Sequence, residues 1–255
     1  MTVNIDGREC VFEQGEYLLE IAARNGIFIP RFCHHPGLSG QACCRVCVVE
    51  TELNGRGAVV TACVYPAQDG MTVKTNSERI KKLRAGVLGL LAARAPASDR
   101  VNMTLSYVGG TLPERYIKEE DEKCILCGLC VRACESIGTG AISAVGRGTG
   151  KKISTPYDEP SEDCVGCLSC ASVCPTSAIS YTQTDEERQI WGRCFELVKC
   201  ESCGAVIGTR EEIEHSLNRA EKTGGIPDKQ EKLLCESCRK KAAADVFAKA
   251  YGFGG

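Results

Sequence analysis

The feature that most constrains this chain is a pair of matching cysteine runs between residues 124 and 175. Cys124-Ile-Leu-Cys127-Gly-Leu-Cys130-Val-Arg-Ala-Cys134 is followed by Cys164-Val-Gly-Cys167-Leu-Ser-Cys170-Ala-Ser-Val-Cys174-Pro175. Both have C-x2-C-x2-C-x3-C spacing, which holds iron–sulfur clusters, and where such runs come in pairs the fourth cysteine of each ligates the other cluster. The spacing has a geometric reason. Three thiolates separated by two residues each, on a loop that curls round a cube, reach three iron corners, and the fourth corner is filled from elsewhere. Two [4Fe–4S] clusters are therefore expected, one on Cys124, Cys127, Cys130 and Cys174, the other on Cys134, Cys164, Cys167 and Cys170. Glu135 follows the first run where Pro175 follows the second, which weakens the expected turn there but not the ligand set.

The nineteen cysteines read as metal ligands rather than as a disulfide framework. Residues 1–20 alternate like a strand and show no charged segment followed by an apolar run, so a reducing, cytoplasmic location is expected. The longest mostly apolar stretch, Ala85 to Ala97, is broken by Arg94 and falls short of the roughly 20 residues that span a bilayer. No direct membrane insertion is expected. A net charge of −2 without a basic stripe argues against nucleic acid as a ligand. The length allows two or three small domains, and the low aromatic content, 5%, implies small cores partly replaced by metal–thiolate bonds.

Residues 1–78 read as a first domain. Thr2 to Phe12 is two short alternating runs joined by Asp6-Gly7, a tight-hairpin composition. Tyr17 to Asn25 then sets Leu18, Ile21 and Ala22 at helical spacing with Gly26 as a stop. Hairpin then helix predicts a β-grasp. Cys33, Cys44, Cys47 and Cys63 follow, a wide loop, a tight pair and a distant closing ligand, which suits a [2Fe–2S] cluster. Cys43 is an alternative to Cys44, but only Cys44 makes the C-x2-C pair with Cys47. Cys10, on a predicted strand, reads as a small buried side chain. His34 and His35 offer a two-histidine cluster, yet four cysteines already in register leave them as loop residues that tune the potential by hydrogen bonding.

Cys33, His35-Pro36, Cys44-Arg45-x-Cys47-x-Val49-Glu50 and Cys63 resemble the ferredoxin-like domain of the large iron–sulfur subunit of respiratory complex I, and of related hydrogenase and diaphorase subunits. In that family the following helix commonly leads to one histidine and three cysteines holding another [4Fe–4S] cluster. Residues 95–123 contain neither residue type, so that cluster is expected to be missing. The connector, residues 79–118, opens with a helix from Ser77, a candidate N-cap, to Arg94, with Ile80, Leu83, Val87, Leu90 and Leu91 expected along one apolar face. Glu119 to Lys123 reads as a solvated linker.

Residues 119–186 form the expected two-cluster ferredoxin domain. The closely spaced glycines from Gly138 to Gly150 fit neither a P-loop nor a dinucleotide motif in context, because β-forming residues surround them. This segment resembles the inter-cluster strands of complex I large-subunit and iron-hydrogenase domains, and Ala178 to Tyr181 reads as a returning strand. The last module, residues 187–255, pairs Cys200-Glu-Ser-Cys203 with Cys235-Glu-Ser-Cys238. Two such knuckles signal a four-thiolate site for zinc, or for a single rubredoxin-like iron. Between them Thr209 caps an expected helix carrying His215, read as an exposed residue, and Cys194 lies outside either pair as a structural residue. The paired knuckles resemble the C-terminal extension of the ferredoxin-like subunits of formate hydrogenlyase and related hydrogenases.

The expected fold class is thus α+β: a β-grasp [2Fe–2S] domain, a helical connector, a bacterial-type two-cluster ferredoxin domain and a C-terminal four-cysteine ribbon. With no flavin, nicotinamide, nickel or molybdopterin site in the sequence, no catalytic centre of its own is expected. The resemblance implies an electron-transfer subunit of a cytoplasmic oxidoreductase isolated anaerobically. Its implied partners are a flavin- and NAD(P)-binding subunit, a hydrogenase or formate dehydrogenase subunit, and a soluble ferredoxin. A free-standing polyferredoxin carrier is the alternative.

Overall fold

The computed structural model describes residues 1–115, 117–224 and 233–251. The chain divides into two units, the first comprising Met1–Ser136, Ala144–Ile153 and Cys170–Ile179, the second Ile137–Ser143, Ser154–Ser169 and Ser180–Gly255. The mixture of helix and sheet is that of an α+β protein.

In the first unit, β1 (Thr2–Ile5) and β2 (Arg8–Val11) pair antiparallel. Asp6 and Gly7 both take positive φ, 50° and 85°, as a two-residue turn matched to strand twist requires. α1 (Leu18–Arg24) follows and buries Leu18, Leu19, Ile21 and Ala22. β3 (Val48–Leu53), β4 (Arg56–Thr61) and β5 (Met71–Lys74) complete a five-stranded sheet in the order β2-β1-β5-β3-β4. The β1–β5 pair is parallel, and α1 covers the sheet in the β-grasp manner. Val3, Ile5, Leu18, Ile21, Val49 and Val73 centre this core, and Cys10 is buried within it.

α2 (Glu78–Arg94) starts where the Ser77 hydroxyl accepts the Ile80 N–H, a side-chain cap for one of the unpaired first-turn donors. Its buried face differs from the expected stripe. Ile80, Arg84, Leu88, Gly89, Ala92 and Ala93 are buried, whereas Leu83 and Leu90 are 43% and 60% exposed. The buried face is rotated away from the leucine and valine stripe toward Arg84, Gly89, Ala92 and Ala93, and Val87 and Leu91 pack at its border.

α3 (Asp99–Tyr107), which hydrophobic spacing left unassigned, is capped by the Ser98 hydroxyl on Val101 N–H and buries Val101 and Leu105. The sequence signal was present in Ser98-Asp99 before two apolar residues four apart. α4 (Leu129–Ser136) runs from the first cysteine loop. A second core gathers Phe32, Cys33, Cys44, Val46, Leu88, Ala92, Val101, Leu105, Ile125, Cys127 and Leu129. The connector is therefore a packing layer that touches both the first-domain cysteine loop and the first cysteine run.

β6 (Ser143–Val145) and β7 (Lys152–Ser154) form a two-stranded sheet between the runs, and α5 (Ser169–Ser172) carries Cys170. The expected strand at Ala178–Tyr181 is absent. β8 (Thr182–Gln183) begins one residue later, because Ala178 N–H is engaged by the Cys174 sulfur at 3.3 Å rather than by a ladder.

The second unit holds a four-stranded sheet in the order β11-β10-β9-β8, with β9 (Glu187–Ile190), β10 (Arg193–Lys199) and β11 (Val206–Thr209). α6 (Arg210–Lys222) opens with a reciprocal capping box between Thr209 and Glu212, and α7 (Glu236–Tyr251) ends the described chain. Of the C-terminal module, residues 225–232 and 252–255 lie outside the described residues. No described helix is long and apolar enough to cross a membrane.

Candidate metal centres

None of the nineteen cysteines is in a disulfide. At the first-domain site the chain winds through Ala42 and Arg45 at φ 52° and 57°, turning the backbone around a central point. Cys33 is buried, as are Cys44, Cys47 and Cys63. Hydrogen bonds from the thiols of Cys43, Cys44 and Cys63 hold Cys33 far below the usual thiol range, while Cys47, bonded by Cys63, is lowered to about 7. Cys44 N–H also points at the Cys33 sulfur, 3.5 Å away. Sequence spacing set Cys43 aside. The structure brings its thiol to Cys33 as a fifth sulfur, exposed, with its Sγ 3.3 Å from the Cys127 carbonyl.

Arg84 holds this loop from behind. Only 3% exposed, it donates from Nε to the Val46 carbonyl at 3.0 Å and from Nη2 to those of Val48 and Thr75 at 2.9 and 3.1 Å. The two loop carbonyls flank Cys47, so α2 fixes the tight cysteine pair. Burial lowers the guanidinium from its usual value, and the charge of Cys47 works against that shift.

In the first run, Leu126 and Gly128 take φ 55° and 69°; in the second, Gly166 and Leu168 take 68° and 61°. Leucine and glycine exchange places, yet both loops turn left-handed at the second and fourth residues after their first cysteine. The left-handed winding at these two positions therefore does not depend on which of them is glycine. Burial raises Cys124, pushes Cys127 up to about 11 and pushes Cys130 up to about 12, and the charge of Cys174 adds to all three shifts. Cys174 from the second run thus lies near enough for its charge to act on the first three cysteines of the first. Such mutually repelling buried thiols suit iron cations, which deprotonate a coordinating thiol outright. Amide donors at Leu126 and Ala178 lie 3.4 and 3.3 Å from the sulfurs of Cys124 and Cys174.

Glu122 corrects the expectation of a mere linker at residues 119–123. Its Oε1 accepts the Cys124 N–H at 2.8 Å, and its Oε2 lies 3.6 Å from Arg94 Nη1, so it ties the start of the cluster loop to the end of α2.

Cys164 and Cys167 belong to the second unit, Cys134 and Cys170 to the first. Within the second unit, the loop bearing Cys164 and Cys167 is held by the C-terminal sheet. Arg193 Nη1 donates to the carbonyls of Ser161, Glu162 and Cys164 at 3.0, 2.8 and 2.8 Å. Arg188 Nη1 donates to Gly166 at 2.7 Å, and Thr209 Oγ1 to Val165 at 2.5 Å. Gly166 packs so closely that an added Cβ would come within 2.8 Å of the Phe195 ring. These three anchors were invisible to motif reading, because nothing in spacing ties residues 188–209 to residues 161–167.

The sulfur ligands of Cys200, Cys203, Cys235 and Cys238 all lie within 4.8 Å of one another, with Cys203 and Cys235 sulfurs 3.6 Å apart. Four sulfurs around one ion at about 2.3 Å stand roughly 3.8 Å apart, so this set fits a single ion. Gly204 turns the first knuckle at φ 73°, and Glu201 and Leu233 exchange two hydrogen bonds, through Glu201 N–H to the Leu233 carbonyl and Leu233 N–H to Glu201 Oε1. His215 is not exposed as expected. Its Nε2 lies 2.7 Å from the Ile137 carbonyl. Cys194 is exposed on β10 and donates to Glu187 Oε2 at 2.8 Å.

Residues 1–78 match the family described as a 2Fe-2S iron-sulfur cluster binding domain, and residues 123–178 that described as a 4Fe-4S dicluster domain. The chain is 30% identical over 237 residues to the mitochondrial NADH-ubiquinone oxidoreductase 78 kDa subunit of Neurospora crassa, covering 83% of this chain and 31% of that one. It is 31% identical to the NADP-reducing hydrogenase subunit HndD of Solidesulfovibrio fructosivorans, over 75% of this chain and 37% of that one. A solved structure, that of an NAD+-reducing [NiFe]-hydrogenase in the H2-reduced state, superposes with a TM-score of 0.59 at 29% identity, covering 69% of this chain and 85% of the other. The chain spans about a third of the length of these curated relatives. It carries a [2Fe–2S] domain and a [4Fe–4S] dicluster domain, and its relatives are iron–sulfur subunits of NADH- and NADPH-linked oxidoreductases and hydrogenases.

Proposed function

We propose that this chain is the electron-relay subunit of a multi-subunit oxidoreductase, working in the cytoplasm between a flavin subunit that handles NAD(P)H and a hydrogenase, formate dehydrogenase or other redox subunit. Cys33, Cys44, Cys47 and Cys63 hold one [2Fe–2S] cluster. Cys124, Cys127, Cys130 and Cys174 hold one [4Fe–4S] cluster, and Cys134, Cys164, Cys167 and Cys170 the other. Cys200, Cys203, Cys235 and Cys238 hold zinc or a single iron. Bound there, the clusters supply one-electron carriers whose potentials depend on cluster type, sulfur hydrogen bonds and exposure.

The observation that carries the reading is the junction between the first two sites. Arg132, 6% exposed, donates from Nη2 to the carbonyls of Cys33 and Cys127 at 2.9 and 3.4 Å, and from Nη1 to Ser39. The same core encloses Cys33, Cys44 and Cys127. A shared, rigid wall between two cluster loops keeps their spacing fixed, which is what a relay needs and a pair of unrelated metal sites does not.

Anaerobic isolation under mild conditions, with identification of every chain recovered and assay of iron, acid-labile sulfide and zinc, tests this. Recovery with a flavin- and nicotinamide-binding chain and a second redox chain is expected, with iron and sulfide for one two-iron and two four-iron clusters. Full cluster content in a chain recovered alone would make it a free carrier instead.

A further inference from the structure

The first unit contains a cavity of about 420 Å³ whose wall includes Phe28, Arg31, His34, His35, Arg100 and Cys174. We propose that it is the docking site for an acidic redox partner, whose carboxylate-bearing segment seats against Arg31 and Arg100 beside Cys174. The proposal rests on the electron-transfer reading above and names the chemistry of one partner.

Three observations converge on it. The first is charge. None of the fourteen lining residues is aspartate, glutamate or lysine, in a chain whose net charge is −2. Neither Arg31 nor Arg100 forms an ion pair among the described residues, and the Arg100 guanidinium lies over the Phe32 ring at 5.9 Å from its centre. His34 adds a buried Nδ1 without a hydrogen-bond partner among the described residues.

The second is composition. Phe28 stands 68% exposed at the cavity edge, with Pro30, Phe32 and Pro36 beside it. Arginine and aromatic residues are enriched at the centres of protein–protein interfaces, where lysine and acidic residues are depleted. Guanidinium groups pair with carboxylates through two parallel hydrogen bonds. An apolar rim of this kind favours a protein segment over a free inorganic anion.

The third is position. Cys174 is a proposed ligand of the first [4Fe–4S] cluster, and His34 follows Cys33, a proposed ligand of the [2Fe–2S] cluster. A partner seated here lies against Cys174 itself and against the residue next to Cys33. Complementary charge steers association, raising on-rates by about 10- to 1,000-fold at low salt.

The test uses the full chain with its clusters loaded and a small, strongly acidic ferredoxin as probe. Binding is followed by calorimetry against ionic strength, and cluster reduction by stopped flow with the probe and, separately, with a viologen. Arg100→Glu and Arg31→Glu are each expected to weaken probe binding at least tenfold and to flatten its salt dependence, with viologen reduction and the cluster EPR spectra as in the parent protein. A polyglutamate peptide is expected to compete for the parent site. Should either reversal lower cluster content, Arg100→Gln and Arg31→Gln give the same comparison with a smaller loss. Unchanged probe affinity in all four variants overturns the proposal. So does competition by inorganic phosphate but not by polyglutamate, or a change in self-association as the variants' sole effect. Failure of the viologen to reduce any cluster would instead overturn the electron-transfer reading itself.

Discussion

The Arg132 guanidinium donates to the Cys33 carbonyl at 2.9 Å across 99 residues of sequence, and the same nitrogen reaches Cys127. One buried cation therefore binds the backbone of a proposed ligand of the two-iron cluster and of a proposed ligand of the first four-iron cluster.

Replacing it has a readable signature. Arg132→Met removes a positive charge from between two centres that become more negative on reduction, so both are harder to reduce. Redox titration followed by EPR is expected to show both midpoint potentials falling together, each on the order of 60 mV, a tenfold change in a one-electron equilibrium. Arg132→Lys, which keeps the charge without the fork, is expected to restore most of the shift. A change confined to one centre would mean that Arg132 serves only one loop.

Arg84 acts on the two-iron site alone. Arg84→Met leaves the carbonyls of Val46, Val48 and Thr75 without their donor, at a cost of about 5 kcal/mol, three bonds at the low end of the roughly 1.5–3 kcal/mol that each bond to a charged group is worth. Chemical denaturation is expected to show the β-grasp domain less stable by that amount. The [2Fe–2S] EPR signal should be lost at a lower denaturant concentration than in the parent, with the four-iron signals unaffected.

Gly166 is held by two independent constraints, a left-handed φ of 68° and the Phe195 ring 2.8 Å from any added Cβ. Gly166→Ala is expected to lower iron content by one four-iron cluster while the two-iron signal persists. Leu168→Ala, at the other left-handed position of the same loop, is the control, since it leaves a side chain there and should retain the cluster.

The C-terminal ion holds a knuckle rather than a sheet. Cys203→Ser, or removal of the ion with a zinc chelator, is expected to release Leu233 from its two bonds to Glu201 and with it the start of α7. Structural four-thiolate sites contribute about 10–16 kcal/mol of binding free energy in small peptides, so faster amide exchange in α7 should be plain. The second cysteine loop is anchored by Arg188, Arg193 and Thr209, which belong to the sheet and the α6 cap. Its cluster signal should survive. Metal analysis of the parent protein decides between zinc and iron at this site.

Much of the fold could be read from short-range pattern. The Asp6-Gly7 hairpin, the Ser77 and Thr209 caps and the stop at Gly26 are each fixed by neighbours a few residues apart, because turns and caps are local hydrogen-bonding problems. The paired cysteine runs likewise announced two metal loops, since ligand spacing reflects the size of the group enclosed.

What spacing could not supply was every group that acts over distance. Arg84, Glu122, Arg132, Arg188 and Arg193 are ordinary charged residues in sequence, which pattern assigns to solvated faces. Each is drawn in because a tightly wound cysteine loop presents backbone carbonyls or amides that its own turns cannot pair, and a buried polar group without a partner is costly. The buried side of α2 carries Arg84, bonded to three carbonyls, together with Ile80 and Leu88. Sequence by itself determined that a two-iron domain, a four-iron dicluster domain and a C-terminal four-cysteine group lie in this order along the chain. Tertiary structure alone decided which distant side chains hold those loops in place, because that depends on which unpaired groups the folded loops leave facing one another.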